Sequence, residues 1–145
     1  YDIAINYKDV DWYKQLVDAA PERLDVIFDN VGGSVLDESL RLIGMHGVVL
    51  LCGSTSQYSE EEMSGPSNYI WLGTMRARMQ GFVIFDYAER YPEARAKMAR
   101  WIRDGRLKIP SYEVTGDVDA FPKAFQQLYQ GKNLGKMLLK LPAAN

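Results

Sequence analysis

The feature that most constrains the fold is a pair of apolar segments that each end in turn residues. The first, LDVIFDNVGG at residues 24–33, runs into Asp29 and Asn30 and stops at two glycines. The second, GVVLLCG, occupies residues 47–53. Short apolar runs of this kind are typical of strands buried on both faces of a parallel sheet. Residues 35–43, between them, repeat apolar side chains at helical spacing, so the three segments together predict a β-α-β unit.

The end of the first segment also predicts a place for a ligand. In open α/β sheets, ligands bind just past the carboxyl ends of the strands, and Asn30 would lie at such an edge. A core strand closed by a turn, in which an Asp or Asn side chain accepts hydrogen bonds from the backbone, explains the same residues equally well. From this segment alone both interpretations stay open.

An alternation of strands and helices is predicted along the whole chain. Predicted strands cover residues 2–7, 25–31, 47–52, 80–85, 111–115 and 136–141. Predicted helices cover residues 12–20, 35–43, 69–78, 90–103 and 121–129. Ser34 is predicted to cap the second helix, and Gly44 to end it in the left-handed conformation. The side chains predicted to face inward from the third and fourth helices are Leu72, Met75, Ala94, Met98, Trp101 and Ile102.

Composition argues against several classes of function. The 145 residues are 47% hydrophobic and carry a net charge of −2, without the excess of positive charge that nucleic-acid binding requires. The single cysteine, Cys52, and the single histidine, His46, form neither a disulfide framework nor a zinc cluster, so we expect no metal site. The sequence has no run of about 18 apolar residues, so we expect no membrane span. We expect a cytoplasmic setting. Because the sequence begins without methionine, inside a predicted strand, we expect a piece of a longer protein.

Few side chains suggest chemistry on their own. His46, between two glycines, is predicted to be a surface turn residue rather than a catalytic base. Cys52 is predicted to be a small buried apolar residue near the ligand edge rather than a nucleophile, because no basic residue is near it in the sequence. Tyr58 lies in the polar loop 54–68, where a phenol could donate a hydrogen bond to a developing oxyanion. An exposed loop aromatic without a role explains Tyr58 equally well.

The turn GKNLGK, residues 131–136, could bring backbone N–H groups and an ammonium close to a phosphate. A helix end followed by a turn explains its glycines as well. Neither of the phosphate-binding patterns GxGxxG and GxxxxGK[ST] occurs in the chain. The residues alone therefore predict half of a doubly wound sheet that lacks a glycine-rich phosphate loop.

Five motifs occur in order along the chain: INYK at 5–8, FDNVGG at 28–33, CGSTSQY at 52–58, RMQGFVIFDY at 78–87 and GKNLGK at 131–136. Together they resemble the motifs of the zinc-independent medium-chain dehydrogenase/reductases, in the branch of the prostaglandin reductases, leukotriene B4 dehydrogenases and curcumin reductases. The resemblance implies the second half of a Rossmann-type parallel sheet with flanking helices, in residues 1–110. Residues 111–145 would then be a strand-helix-strand that returns to the catalytic domain.

The resemblance also implies the activity: NADPH-dependent reduction of the C=C bond of α,β-unsaturated ketones or aldehydes. Tyr58 would be the catalytic residue, near the nicotinamide ribose and the substrate carbonyl. Tyr7 would lie by the adenosine 2′-phosphate, and the backbone of residues 82–84 by the carboxamide. The full set of cofactor-binding residues that the resemblance implies is Tyr7, Asn30, Cys52, Ser54, Phe82, Val83, Ile84, Asn133 and Gly135.

The resemblance implies a small-molecule enone as substrate and a homodimer that pairs through the strand 80–85. Without the segment that precedes residue 1 in the family, this chain is expected to be inactive or nearly so, and oligomeric. Two other functions stay open: a quinone reductase of the same superfamily, and a non-catalytic nucleotide-binding or dimerisation module.

Overall fold

A computed structural model describes residues 1–58, 61–131 and 133–142. The chain divides into two compact units, residues 1–87 and residues 88–145. The predicted assignment of residues 1–110 to a cofactor domain and of residues 111–145 to a catalytic domain concerns function, and it stays a prediction.

The first unit is built on a parallel sheet in the order β1-β2-β3. Its elements are α1 (Trp12–Ala19), β1 (Leu24–Asp29), α2 (Gly33–Leu40), β2 (Ile43–Leu51), α3 (Ile70–Thr74) and β3 (Arg78–Gly81). Helix α2 connects β1 to β2, and α3 lies between β2 and β3 in the sequence. The predicted β-α-β unit is therefore confirmed.

The core of this unit lies between α2 and the sheet. Its buried side chains are Ile27, Leu36, Leu40, Ile43 and Val49. Leu72 of α3 and Met75, the residue directly after this helix, pack against this cluster while staying partly exposed, as the helical spacing predicts. Because Leu40, Ile43 and Val49 are fully buried, the position of β1 and β2 under α2 is strongly determined.

Both predicted ends of α2 are wrong. The helix begins at Gly33, with Gly32 before it, so Ser34 lies inside the first turn instead of capping it. Gly44 lies within β2, and the left-handed residue there is His46, with a φ of 60°. Pairing between β1 and β2 is interrupted opposite this residue, and the N–H of His46 donates to the carbonyl of Met75 at 2.8 Å. His46 is exposed, as a surface turn residue is predicted to be.

Two predicted strands are also wrong. Residues 2–7 form no strand among the described residues, because no neighbouring strand there supplies the hydrogen bonds that a strand needs. The strand predicted at 80–85 lies instead at Arg78–Gly81. After one more backbone bond, from Phe82 to Leu51 at 3.1 Å, the chain turns into a 3₁₀ helix at Ile84–Arg90.

The second unit contains α4 (Tyr91–Arg103), β4 (Ser111–Thr115), α5 (Phe121–Tyr129) and β5 (Lys136–Lys140). Strands β4 and β5 pair in parallel, and α5 connects them. Gly135, just before β5, has a φ of 86°, and a Cβ there would meet the backbone of Pro110. Only glycine can therefore make this turn without displacing the backbone beside β4.

The predicted burial of one α4 face is wrong. No residue of α4 is buried, and Met98 and Ile102 are 42% and 40% exposed. Trp101 is half-buried and lies against the cations of Lys97 and Arg106. Amphipathic spacing predicts which side chains share a face, but burial requires a partner surface, which the described residues do not supply here.

Candidate functional site

A cleft of about 620 Å³ lies at the carboxyl ends of the three parallel strands of the first unit. The last residues of β1, β2 and β3 line it: Asp29, Leu51 and Gly81. Its volume falls within the range of about 300–1,000 Å³ that is usual for ligand pockets. The cleft is therefore at the edge of the sheet where a ligand was expected from the sequence.

Asp29 builds the floor of this cleft. Its side chain is 5% exposed and accepts hydrogen bonds from the backbone N–H groups of Val31, at 3.0 Å, and Gly32, at 3.0 and 3.1 Å. The carboxylate thus satisfies backbone donors in front of α2, and its negative charge lies at the positive end of that helix. The side-chain turn that the sequence left open as one interpretation is present, and it lies at the edge of the cleft.

Four hydrogen bonds join the turn after β1 to the loop after β2. The N–H and the hydroxyl of Thr55 both donate to the carbonyl of Asn30 at 3.2 Å. The N–H and the hydroxyl of Ser56 both donate to the carbonyl of Val31, at 3.0 and 2.6 Å. These bonds consequently fix the turn after β1 and the loop after β2 relative to each other beside the cleft.

Four of the residues predicted to bind a cofactor line the cleft: Cys52, Ser54, Phe82 and Val83. The first two follow β2 directly, and the other two follow β3. The predicted burial of Cys52 is wrong: the residue is exposed, because it lies beyond the last residue of β2 at the open cleft. Its N–H donates to the carbonyl of Asp29 at 2.8 Å. The position of Cys52 at the end of an apolar run indicated this edge, whereas Ser54, Phe82 and Val83 were implied by the family resemblance.

Asn30 and Tyr58 adjoin the cleft beside Gly53. A Cβ placed on Gly53 would lie 3.4 Å from the carbonyl oxygen of Asn30 and 3.7 Å from the hydroxyl of Tyr58. The phenol of Tyr58 is 65% exposed and thus open to a ligand as well as to water. The structure therefore brings the predicted catalytic hydroxyl close to the backbone of Asn30, one of the predicted cofactor-binding residues.

The other four predicted residues are outside this group. Tyr7 and Ile84 are not among the residues that line the cleft, and they are 55% and 60% exposed. Asn133 and Gly135 belong to the second unit, where the amide of Asn133 donates to the carbonyl of Gly135 at 2.7 Å. Lys132, the first lysine of the predicted phosphate-binding turn, lies outside the described residues.

Sequence reasoning missed Gln57 and Asn68, which hold the loop after β2 beside the cleft. Gln57 lines the cleft, and its side-chain oxygen accepts a hydrogen bond from the N–H of Ser64 at 2.9 Å. The far end of the same loop is held by Asn68, which bonds through its N–H and its side-chain amide to Asp37 of α2. The length of the loop was the available signal, because a connector of this length is usually functional.

The charged side chains that line the cleft are all acidic among the described residues. Among the described residues that line it, Asp29 and Asp86 are acidic and none is basic. The described part of the chain contains no group of three or more His, Cys, Asp or Glu side chains that could hold a metal ion. It also contains no helix that is long and apolar enough to span a membrane.

Comparison with known proteins gives a consistent result. The sequence pattern of one family, described as zinc-binding dehydrogenase, matches residues 1–139. The chain is 34% identical over 140 residues to a 2-alkenal reductase (NADP(+)-dependent) of Nicotiana tabacum, covering 96% of this chain and 40% of that protein. It is 31% identical over 147 residues to an NADPH-dependent curcumin reductase of Escherichia coli, covering 97% of this chain and 42% of that protein.

Among solved structures, CurA from Vibrio vulnificus in complex with NADPH superposes with a TM-score of 0.83 and 34% sequence identity. The match covers 99% of this chain and 44% of the CurA chain. The chain thus spans about two fifths of the length of the relatives that it matches.

Proposed function

The chain belongs to the zinc-binding dehydrogenase family, and from that premise we propose that it serves an NADPH-dependent reduction of the C=C bond in α,β-unsaturated ketones or aldehydes. The observation that carries the proposal is the cleft at the carboxyl ends of β1, β2 and β3, beside the hydroxyl of Tyr58. The 2-alkenal and curcumin reductases to which the chain is similar support the same reaction class.

The cleft suits the nicotinamide and ribose end of NADPH better than its phosphates. Two carboxylates and no basic side chain line its described surface, so a polyphosphate would be repelled there, whereas an uncharged ring and a sugar would not. The side chains of Phe82 and Val83 and the backbone at Gly53 offer an apolar wall with polar edges. When bound, NADPH supplies a hydride to the β-carbon of the substrate.

In this proposal Tyr58 acts on the substrate carbonyl. As the hydride adds to the β-carbon, negative charge develops on the carbonyl oxygen, and the Tyr58 hydroxyl donates a hydrogen bond to it. Addition of a proton to the α-carbon then completes the conversion of the C=C bond to a single bond. Asn30 holds ribose or phosphate oxygens without adding charge, and Cys52 and Ser54 form the edge of the site.

The remaining cofactor contacts come from the resemblance and form part of the proposal. The backbone of Phe82, Val83 and Ile84 would hold the carboxamide, and Tyr7 would lie by the 2′-phosphate. Asn133 and Gly135 would contact the nicotinamide half. Zinc, which the family description includes, has no set of ligands among the described residues, and no step of the proposed reaction uses it.

A cytoplasmic homodimer is also part of the proposal. Strand β3 is at an edge of its sheet among the described residues, and the segment that follows it is apolar, with Val83 and Phe85 54% and 78% exposed. Such an edge favours pairing with a second copy. A reducing compartment suits the one exposed thiol, Cys52. Light scattering after size-exclusion chromatography gives the mass of the assembly, and a monomer would contradict the dimer.

The test uses the natural protein that carries this sequence. NADPH oxidation is followed by absorbance with trans-2-hexenal, curcumin and a benzoquinone, each with and without protein. We expect oxidation with the two unsaturated carbonyl compounds and a product saturated at the C=C bond, identified by mass spectrometry. Oxidation with the quinone alone would replace the proposed reaction with quinone reduction. Oxidation with none of the three would leave a non-catalytic module.

A further inference from the structure

We infer that Ser56 is a positioning residue for the proposed reaction, because its hydroxyl fixes the 3₁₀ turn that carries Tyr58 to the end of β1. The inference rests on the proposed function, since it concerns the same cleft. Ser56 lies in the turn Thr55–Gln57, and Tyr58 follows that turn directly.

The first step is the connection that Ser56 makes. Its N–H and its hydroxyl both donate to the carbonyl of Val31, at 3.0 and 2.6 Å. The N–H of Val31 in turn donates to the buried carboxylate of Asp29 at 3.0 Å. Ser56 is therefore bonded to a segment that is itself fixed by the buried carboxylate at the end of β1.

The second step is the close approach of this loop to the start of α2. A Cβ on Gly33 would lie 2.8 Å from the Ser56 hydroxyl oxygen and 3.3 Å from its Cβ. A Cβ on Gly32 would lie 3.3 Å from the Cβ of Ser54. The loop after β2 thus lies against Gly32 and against Gly33, the first residue of α2, and the exposed hydroxyl of Ser56 is on the side of Gly33.

The third step leads from Ser56 to Tyr58. The N–H of Tyr58 donates to the carbonyl of Thr55 at 3.4 Å, within the same turn. The side chain of Tyr58 extends toward Gly53. A Cβ placed on Gly53 would lie within 4 Å of both the Tyr58 hydroxyl and the backbone of Asn30. The orientation of the phenol toward Asn30 therefore depends on how firmly the turn is held.

The experiment is a double-mutant cycle in the natural protein, with trans-2-hexenal as substrate at saturating NADPH. We expect Ser56→Ala to lower kcat about threefold, through loss of one hydrogen bond, and Tyr58→Phe to lower it about tenfold. The double variant should lose about tenfold, like Tyr58→Phe alone, because Ser56 acts through that hydroxyl. Ser56→Thr, which keeps the hydroxyl, should restore at least half of the lost activity.

Ser39→Ala is the matched control. The Ser39 hydroxyl donates to the carbonyl of Val35 at 2.7 Å inside α2, and Ser39 does not line the cleft. Its kcat should equal that of the wild type. Two outcomes would overturn the inference and leave the proposed function standing. One is a loss of kcat in the double variant that equals the product of the two single losses. The other is an unchanged kcat with a lowered melting temperature in Ser56→Ala. A wild type that reduces no enone would overturn both.

Discussion

At the residue scale, Gly33 is a position where one added methyl group should do unusual damage. Its φ is 57°, and a Cβ there would lie 2.8 Å from the hydroxyl oxygen of Ser56. Left-handed strain and this contact act together, so we expect Gly33→Ala to lower the free energy of unfolding by about 1–3 kcal/mol. Urea unfolding followed by circular dichroism measures the change.

Gly73 provides the control for Gly33. It lies inside α3, and a Cβ there would meet nothing within 4 Å. Gly73→Ala should therefore leave stability unchanged or raise it by up to about 1 kcal/mol. Equal stability of Gly33→Ala and the wild type would contradict the close approach between α2 and the loop after β2.

Tyr58 gives the second prediction at this scale. If its hydroxyl stabilises charge on the substrate carbonyl, Tyr58→Phe should lower kcat about tenfold while the KM for NADPH changes less than twofold. Steady-state kinetics of the natural protein measure both constants. Tyr13→Phe on α1, which also removes one phenol oxygen, should leave kcat unchanged. A wild-type kcat for Tyr58→Phe would remove Tyr58 from the chemistry.

At the element scale, Arg23 joins β1 to the ends of two helices. Its guanidinium donates to the carbonyl of Arg41, at 2.6 Å, and of Ile43, at 3.0 Å, just beyond α2. It also lies over the ring of Trp71 in α3, 5.4 Å from the ring centre. A cation at the carboxyl end of a helix is favourable, and these carbonyls would otherwise need other donors.

We therefore expect Arg23→Met, which keeps the apolar stem, to lower the free energy of unfolding by about 1–3 kcal/mol. The control is Arg95→Met, because Arg95 lies over the ring of Tyr91 on the exposed helix α4. Its effect should stay within about 0.5 kcal/mol. Similar losses in the two variants, measured by urea unfolding, would show that the helix-end carbonyls do not depend on Arg23.

The same scale shows how far sequence reasoning reaches. Apolar runs and helical spacing predicted β1, α2 and β2, because these elements bury one another within a single local unit. They failed for residues 2–7 and for the face of α4, since a strand needs a neighbour and an apolar face needs a cover. The position of Cys52 at the end of an apolar run predicted its place at this edge, whereas Ser54 was implied by the resemblance. Gln57 was not predictable, because its place in the cleft depends on how a long loop folds back.

At the scale of the whole molecule, cofactor binding should appear as added stability. Asn30 and Asn133 are two of the proposed cofactor contacts. A ligand that binds only the folded state raises stability by about 2.7 kcal/mol at a concentration 100 times its Kd. We therefore expect NADPH to raise the Tm of the natural protein by several degrees. Asn30→Ala and Asn133→Ala should each reduce that shift at the same NADPH concentration.

Thermal unfolding with and without NADPH tests each of these two contacts without any turnover. Gln15→Ala on α1, which removes an exposed amide bonded to Asp11, should keep the full shift. A reduced shift for Asn30→Ala together with a full shift for Asn133→Ala would remove Asn133 from the proposed cofactor contacts. Because the measurement needs no substrate, it separates cofactor binding from the choice between enone and quinone reduction.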